Sequence, residues 1–316
     1  MTSESIKLGI SFEHDAMRFI EAEEWNGKLN LTSIVHVPLP KTFDFTVIGD
    51  HDYVPQMSAL LDSSLDNFSG IISSARLCID RRFALKKTVP VDKGLSQEEV
   101  RKHIEWELEQ LLIAPRDEFN VDYEHAILAN SKKDVVVFAA LRKAIVNYMQ
   151  DIFRKSRLRL EALDLDLFAS IRALKLAEPD DLKGASALIE FSHSGVGMAI
   201  LLDGIYAAST ELPTQINNER FDTLTAESLA AAMNEELRRL VENVEENFRA
   251  IELERALFCG NVKNRAILEE LQKLSPSVAV RLVEPFNHVH KQLNVEAQML
   301  IDNQGERFMS CFGMVV

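Results

Sequence analysis

The stretch ASALIEFSHSGVGMAILLDGIYAAS, residues 185–209, decides how we interpret the fold of this chain. Its first apolar, β-prone segment ends in Ser-His-Ser-Gly at 192–195, which has the composition of a turn. A second apolar segment, residues 198–202, ends at Asp203-Gly204, the strongest kind of short hairpin signal. The stretch therefore predicts strand, turn and strand, and the first turn is of a kind that presents backbone N–H groups to a phosphate.

Composition limits the class of protein. The chain has 316 residues, 47% hydrophobic and 27% charged, as in globular proteins, and this length favours two domains. Acidic residues outnumber basic ones by 49 to 35, a net charge of −14, which argues against nucleic acid as the main partner. No apolar run approaches the roughly 20 residues of a membrane helix, no signal peptide is evident, and the three cysteines lack CxxC spacing. These features predict a cytoplasmic protein that does not itself span a membrane.

Strand and helix signals alternate along the chain. Residues 6–12, 16–21 and 29–37 predict a β-meander with a turn at Asn26-Gly27. Helical spacing of apolar residues predicts helices over 53–65, 145–153, 167–176, 226–252 and 266–274. Further strands are predicted at 69–79, 119–129, 134–140, 160–165, 256–259 and 278–282.

One segment of the first half, from about residue 89 to Pro115, contains an acidic helix with a clear start and end signal. Ser96 and Glu99 form the pattern of a capping box, and the helical stripe that follows ends before Pro115. Trp106 lies off this stripe, and we expect it to pack on a neighbouring element. The polar, proline-containing segment at 178–183 predicts a linker between the two halves.

The two halves begin alike. Residues 10–14, ISFEH, align with residues 189–193, IEFSH, and each opens a strand–turn–strand unit at the start of its half. Five residues of partial identity prove nothing alone, but their matching placement favours an internal duplication.

Two meander-plus-helix halves with a small α/β insert in the first resemble the actin-like (ribonuclease-H-like) superfamily. A narrower resemblance is carried by LSQEE at 95–99, EWELEQ at 105–110, Pro115, VFAALR at 137–142 and LDLDLFA at 163–169. In these motifs the chain resembles the PilM family of cytoplasmic, actin-like type IV pilus assembly proteins, which is similar to FtsA. The resemblance implies a duplicated α/β fold with domains at 1–182, holding an insert at about 89–159, and at 183–316, holding a helical subdomain at about 213–252.

The resemblance also implies where a nucleotide would bind, and the chain departs from the family pattern there. Ser11 stands where an actin-like first loop has aspartate, and a carboxylate such as Glu13 would repel phosphate unless a cation intervened. The second loop has Glu190-Phe191-Ser192 for Asp-x-Gly, and the adenosine-side turn has one glycine for two. We expect no catalytic residue, no metal site, and no cofactor or only weak Mg-ATP binding. The candidate cofactor-binding residues of this degenerate cleft are Gly9, Ser11, Glu190, Ser192, Gly195 and Gly260.

The function implied by the resemblance is that of an adaptor without nucleotide hydrolysis. In the family, a short cytoplasmic tail of a bitopic inner-membrane protein (PilN-like) docks in a groove between the first subdomain and the insert. On this chain the groove would involve the insert between about Val89 and Arg159. Two alternatives stay open: an actin-like ATPase or sugar-kinase relative, and a scaffold resembling the cytoplasmic domain of the type II secretion L-protein, whose family continues into a membrane helix.

Two further groups of residues each have a functional and a structural interpretation. His288 and His290 are a conceivable metal pair, but no third ligand stands at a recognisable spacing, which favours an ordinary strand or loop. Asp164 and Asp166 either approach the interdomain cleft or cap the following helix.

Overall fold

The first half of the chain forms a meander and then α/β segments. The computed structural model describes residues 5–25, 27–68, 70–193, 195–212, 214–216 and 219–316, so Asn26 and Ser194 of two predicted turns lie outside the described residues. The elements of the first half are β1 (Ser5–Phe12), β2 (Ala16–Trp25), β3 (Lys28–Pro38), α1 (Tyr53–Ser64), β4 (Ser74–Ile79), β5 (Ala84–Val91), α2 (Gln97–Leu111), β6 (Phe119–Ala126), β7 (Asp134–Arg142), α3 (Lys143–Arg154), β8 (Arg159–Leu165) and α4 (Asp166–Ala177).

The second half starts with the stretch at 185–209. Asp203 and Gly204 both have positive φ, 51° and 76°, as the predicted two-residue hairpin turn requires. The elements of this half are β9 (Ala185–Ser192), β10 (Gly195–Leu202), β11 (Ile205–Leu212), β12 (Gln215–Ile216), β13 (Glu219–Arg220), α5 (Ala226–Asn247), β14 (Leu253–Gly260), α6 (Ala266–Leu274), β15 (Ala279–Leu282), β16 (His290–Lys291), α7 (Val295–Gln304) and α8 (Met309–Phe312).

Two sheets share one topology. The strand orders are β16-β3-β2-β1-β4-β8 and β11-β10-β9-β14-β15. In each sheet three antiparallel strands form a meander, and two later strands join in parallel beside the first. The segments 10–14 and 189–193 lie at the end of β1 and of β9, which are equivalent positions. The predicted duplicated α/β fold is therefore confirmed.

The third sheet belongs to the insert and has the order β5-β7-β6. The capping box at the start of α2 is present, since Ser96 Oγ accepts from the Glu99 N–H at 3.3 Å and Glu99 Oε2 accepts from the Ser96 N–H at 2.8 Å. Val100, Ile104 and Leu108 of α2 pack with apolar side chains of all three strands into a separate small core. This core joins α2 to the insert sheet.

The chain divides into two compact units. The first unit comprises residues 1–83, 143–178 and 283–316, and the second comprises 84–142 and 179–282. The insert sheet therefore groups with the second half, where Leu128 and Val135 join the core beneath β9 and β10. Contact-based units need not coincide with duplicated domains, so the boundaries at 1–182 and 183–316 stay a prediction. None of the helices within the described ranges is long and apolar enough to cross a bilayer.

Three local predictions were wrong. Of the strand expected at 69–79, Ser69 lies outside the described residues, and the strand begins at Ser74; Ile71 before it is 97% exposed. The helix expected to reach residue 252 ends at Asn247, because the chain turns so that the Phe248 carbonyl accepts from the Lys132 N–H at 2.9 Å. Trp106 does not pack on a neighbouring element and is 56% exposed.

All three cysteines are buried thiols. Cys78, Cys259 and Cys311 are each fully shielded, and burial raises the pKa of Cys78 and Cys311 well above the ordinary thiol value. Because the thiolate is the reacting species, we expect no labelling of the native protein by Ellman's reagent at pH 8, and three equivalents per chain in guanidinium chloride. Fast reaction of even one equivalent with the native protein would contradict this packing.

Candidate functional site

Gly9 of the first predicted loop serves packing. A Cβ added there would lie 2.6 Å from the Cys311 carbonyl oxygen and 3.0 Å from a Val315 methyl carbon. Cys311 Sγ in turn donates to the Gly9 carbonyl at 3.2 Å. The absence of a side chain at Gly9 is thus required by α8 and the residues that follow it, which lie against β1.

Ser11 and Glu13 face a buried cation. Ser11 is 1% exposed, and its Oγ donates to Glu13 Oε1 at 3.3 Å. The Glu13 carboxylate also contacts the guanidinium of Arg18, which pairs with Ser11 across the hairpin and is 1% exposed. A phosphate near Glu13 was expected to need an intervening cation. In this structure the chain itself places a cation, Arg18, against the Glu13 carboxylate.

Arg18 was missed by the sequence reasoning, although it stands opposite Ser11 in a β-hairpin that also contains Glu13. Its guanidinium carbon lies 5.7 Å from the centroid of the Phe308 ring. Burial, followed by the nearby Arg307, lowers the pKa of Arg18 to about 9, so the side chain still carries its charge at neutral pH. The sequence did offer one signal of this role: Glu13, of opposite charge, lies close to Arg18 in the same hairpin.

The second predicted loop closes β9 onto β10. Glu190 is 7% exposed and is paired in register with Gly197 of β10 and Cys259 of β14. Ser192 Oγ donates to the Gly195 carbonyl at 3.3 Å, and Gly195 has a φ of 139°. The serine and the glycine therefore shape the turn.

Gly260 ends β14 in a conformation that favours glycine. Its φ is 80°, and an added Cβ would lie 2.2 Å from the Phe191 carbonyl oxygen. That same oxygen accepts from the Asn261 N–H at 2.8 Å. Gly260 thus allows the adenosine-side turn to approach β9 closely.

A small cavity lies beside these two turns of the second unit. Its volume is about 70 Å³, well below the roughly 300 Å³ at which ligand pockets begin. Lys263 supplies its cationic side chain. The structure thus brings Ser192 and Asn261 together on one cavity wall, while Gly9 and Ser11 belong to the first unit.

Asp166 and His290 have structural partners. Asp166 accepts from the N–H and Nε of Arg81, each at 3.0 Å, and from the Leu167 N–H at 2.7 Å. It is the first residue of α4, whose N-cap is Leu165, so it does not cap the helix. His290 Nδ1 lies 2.7 Å from Asn30 Oδ1. Across the described ranges, no group of three His, Cys, Asp or Glu side chains is placed to hold a metal.

The insert carries an exposed apolar surface. Trp106 of α2, Tyr123 of β6 and Ile127 are 56%, 40% and 72% exposed. Tyr123 follows Phe119 and Val121 on the sheet face that α2 covers, because side chains of one face recur every second residue. Trp106 and Tyr123 therefore lie on the same side of the insert sheet, and we define these three residues as the insert surface.

Two sheets with the same arrangement of a three-strand meander and two parallel strands, the first extended by β16 at one edge, define a duplicated actin-like protein. One solved structure with this fold is the PilM-PilN type IV pilus biogenesis complex, with a TM-score of 0.78 and 17% identity, covering 98% of this chain and 97% of that chain. A second is a Bacteroides thetaiotaomicron protein with an actin-like ATPase fold and unknown function, with a TM-score of 0.51 and 12% identity, covering 94% and 95%.

A family profile gives the particular family. The profile of the type IV pilus assembly protein PilM matches residues 9–218, about two thirds of the sequence. The chain belongs to the PilM family.

Proposed function

We propose that this chain is a scaffold of type IV pilus assembly that binds the short cytoplasmic tail of a bitopic, PilN-like inner-membrane protein. Family membership carries the proposal, and the likeness over 98% of the chain to a protein solved in a PilM-PilN complex supports it. On this proposal the protein is cytoplasmic and is held at the inner membrane by its partner.

The insert surface is the part of the proposed site that we assign to this chain. In the described part of the chain, β6 has a ladder partner on one side, β7, so its other edge is open. An open edge offers main-chain hydrogen bonds to an extended peptide, and exposed aromatic side chains beside it supply anchors. Trp106 and Tyr123 fit this role.

The test is titration of a synthetic peptide, the cytoplasmic tail of the organism's own PilN-like protein, into the full chain and its variants. We expect Trp106→Ala to weaken binding roughly tenfold, as aromatic anchors at interfaces do. Met299→Ala on α7 is the matched control, because Met299 is 59% exposed but lies in the first unit. Equal affinities of both variants and the parent would remove the insert surface from the site, and no binding by the parent chain would overturn the scaffold.

We further propose that the scaffold works without hydrolysing nucleotide. Glu13 is engaged by Arg18, and Gly9 and Gly260 are needed for close backbone packing. Calorimetry with Mg-ATP and a phosphate-release assay test this proposal. Micromolar binding together with measurable phosphate release would overturn it.

Weak ATP binding without turnover is the second candidate, and the cavity beside Lys263 favours it. At about 70 Å³ the cavity must widen before it accepts an adenosine group. If ATP binds there, Lys263→Glu weakens binding at least severalfold, because a carboxylate would face the phosphates. Unchanged ATP affinity in that variant would exclude the cavity.

A further inference from the structure

A second groove lies within the second unit, apart from the loops described above. It is an open channel of about 410 Å³, and its two long walls are Lys86–Thr88 of β5 and Ala208–Thr210 of β11. The helix α5 contributes Glu236 and Arg239 to the lining. This volume falls in the range of ligand sites, unlike that of the cavity beside Lys263.

Both walls are edges of sheets. Among the described residues, β5 pairs with β7 alone and β11 with β10 alone. Pro90 has no N–H to donate to β7, and its ladder with β7 has no irregularity, so the even-numbered positions of β5 turn their main-chain groups outward. Lys86 and Thr88 therefore present N–H and C=O groups to the groove.

One ion pair crosses the gap between the two edges. The Lys86 ammonium contacts the Glu211 carboxylate of β11, so one lysine and one glutamate together span the gap. An extended chain that pairs with β5 as an added strand would lie about 4.8 Å from it, the ordinary strand spacing.

The cations of the groove bind carboxylates. Lys86, Lys87 and Arg239 line the groove, and each of them has a carboxylate partner within this chain. Lys86 contacts Glu211, Lys87 Nζ donates to Glu107 Oε2 at 2.6 Å, and Arg239 donates to Glu236 Oε1 at 2.7 Å.

We propose that this groove binds an extended peptide carrying two consecutive acidic residues, added as a strand beside β5. Lys86 and Lys87 are neighbours in a strand, so their side chains project to opposite faces. Two consecutive residues of an added strand do the same, and each of their carboxylates meets one lysine. The peptide carboxylates displace Glu211 and Glu107, and main-chain bonds to Lys86 and Thr88 fix the register.

The probe is a fluorescein-labelled octapeptide, Thr-Val-Thr-Glu-Glu-Val-Thr-Val, titrated by anisotropy into the full chain. Versions with Gln-Gln and Lys-Lys at the centre are the controls for charge. We expect the Glu-Glu peptide to bind at least roughly tenfold more tightly than either, and more weakly as salt is raised. Equal affinity of the Gln-Gln peptide would overturn the proposal.

Variants of the chain locate the site. Lys86→Gln should weaken binding of the Glu-Glu peptide roughly tenfold, whereas Lys102→Gln, at an exposed lysine of α2, should leave it unchanged. Glu211→Gln should strengthen binding, because it removes the competing carboxylate from Lys86. Weakened binding in Glu211→Gln, or no effect of Lys86→Gln, would overturn the proposal.

Two further outcomes are decisive. Thr88→Pro removes one outward N–H and should weaken binding while the variant melts within a few degrees of the parent; Lys86→Gln decides the matter if Thr88→Pro does not fold. If light scattering shows dimers of the parent that Thr88→Pro disperses, the occupant is a second copy and the proposal fails.

The groove is separate from the insert surface, so the PilN-like tail should not displace the Glu-Glu peptide. Failure of the Glu-Glu peptide to bind would therefore leave the scaffold proposal standing.

Discussion

Gly313→Ala, which adds a single methyl group, should strongly destabilise the first unit. A Cβ at residue 313 would lie 1.8 Å from the carbonyl oxygen of Ala169 and 2.4 Å from its carbonyl carbon. Ala169 belongs to α4 and is fully buried, so the obstacle is main chain that no side-chain rotation can relieve. Because the backbone at residue 313 is helical, with φ −62° and ψ −10°, the cost arises from space alone.

We expect Gly313→Ala to lower the free energy of unfolding by about 4 kcal/mol or more. In thermal unfolding this corresponds to a drop in Tm of roughly 10 °C. Gly305→Ala is the matched control on the same segment, since the nearest atom to its Cβ is 3.6 Å away and its backbone is helical. The free energy of unfolding of the control should lie within about 1 kcal/mol of the parent's, and its Tm slightly above the parent's if the helical preference of alanine dominates.

If Gly313→Ala melts with the parent, α8 does not pack on α4 as described. A drop shared equally by Gly305→Ala would point to general sensitivity of the segment. The segment has a second anchor in Arg172, which donates to the Gly313 carbonyl at 3.1 Å and to Asp164 Oδ2 at 2.5 Å. Asp164 therefore acts on the fold through Arg172.

The second large effect concerns the buried ion pair of the first hairpin, where removing the carboxylate should cost far more stability than removing the cation. Glu13→Gln leaves the Arg18 cation, 1% exposed, without its carboxylate. A fully buried pair broken in this way costs about 3–5 kcal/mol, and because Glu13 is 33% exposed we expect about 2 kcal/mol. Chemical denaturation with urea measures the change.

Arg18→Met should be close to neutral or stabilising. Methionine keeps the apolar contact with Phe308 and removes the cost of burying a charge, as found when buried ion pairs are replaced by apolar residues. In the Arg18→Met background, Glu13→Gln should have almost no further effect, which isolates the pair in a double-mutant cycle. Additive losses in the cycle would mean that the two side chains do not interact.

The duplicated fold could be predicted because its signals are local. The hairpin at Asp203-Gly204, the capping box at Ser96 and the meander of the first half depend on residues close in sequence. The repeated placement of ISFEH and IEFSH then pointed to one topology used twice. Family motifs in the insert narrowed the fold to one family.

The remaining features depend on contacts between distant residues. The two-residue strand β16 and the four-residue helix α8 are too short for any periodicity, so their return to the first unit left no pattern in the sequence. Gly9 looked like a phosphate-loop glycine, whereas its neighbour in space is Cys311. Trp106 was expected to pack because large aromatic side chains usually do, but α2 meets its sheet through another face.

The segments of the two units alternate along the chain, and this order has a consequence for synthesis on the ribosome. Every strand and helix of the second unit has been made once residue 282 has emerged. The first unit contains β1 but lacks β16, α7 and α8 until residues 283–316 follow. The contact between Gly9 and Cys311 therefore forms only after the second unit has been made, and of the two units the one that begins earlier in the chain is completed later.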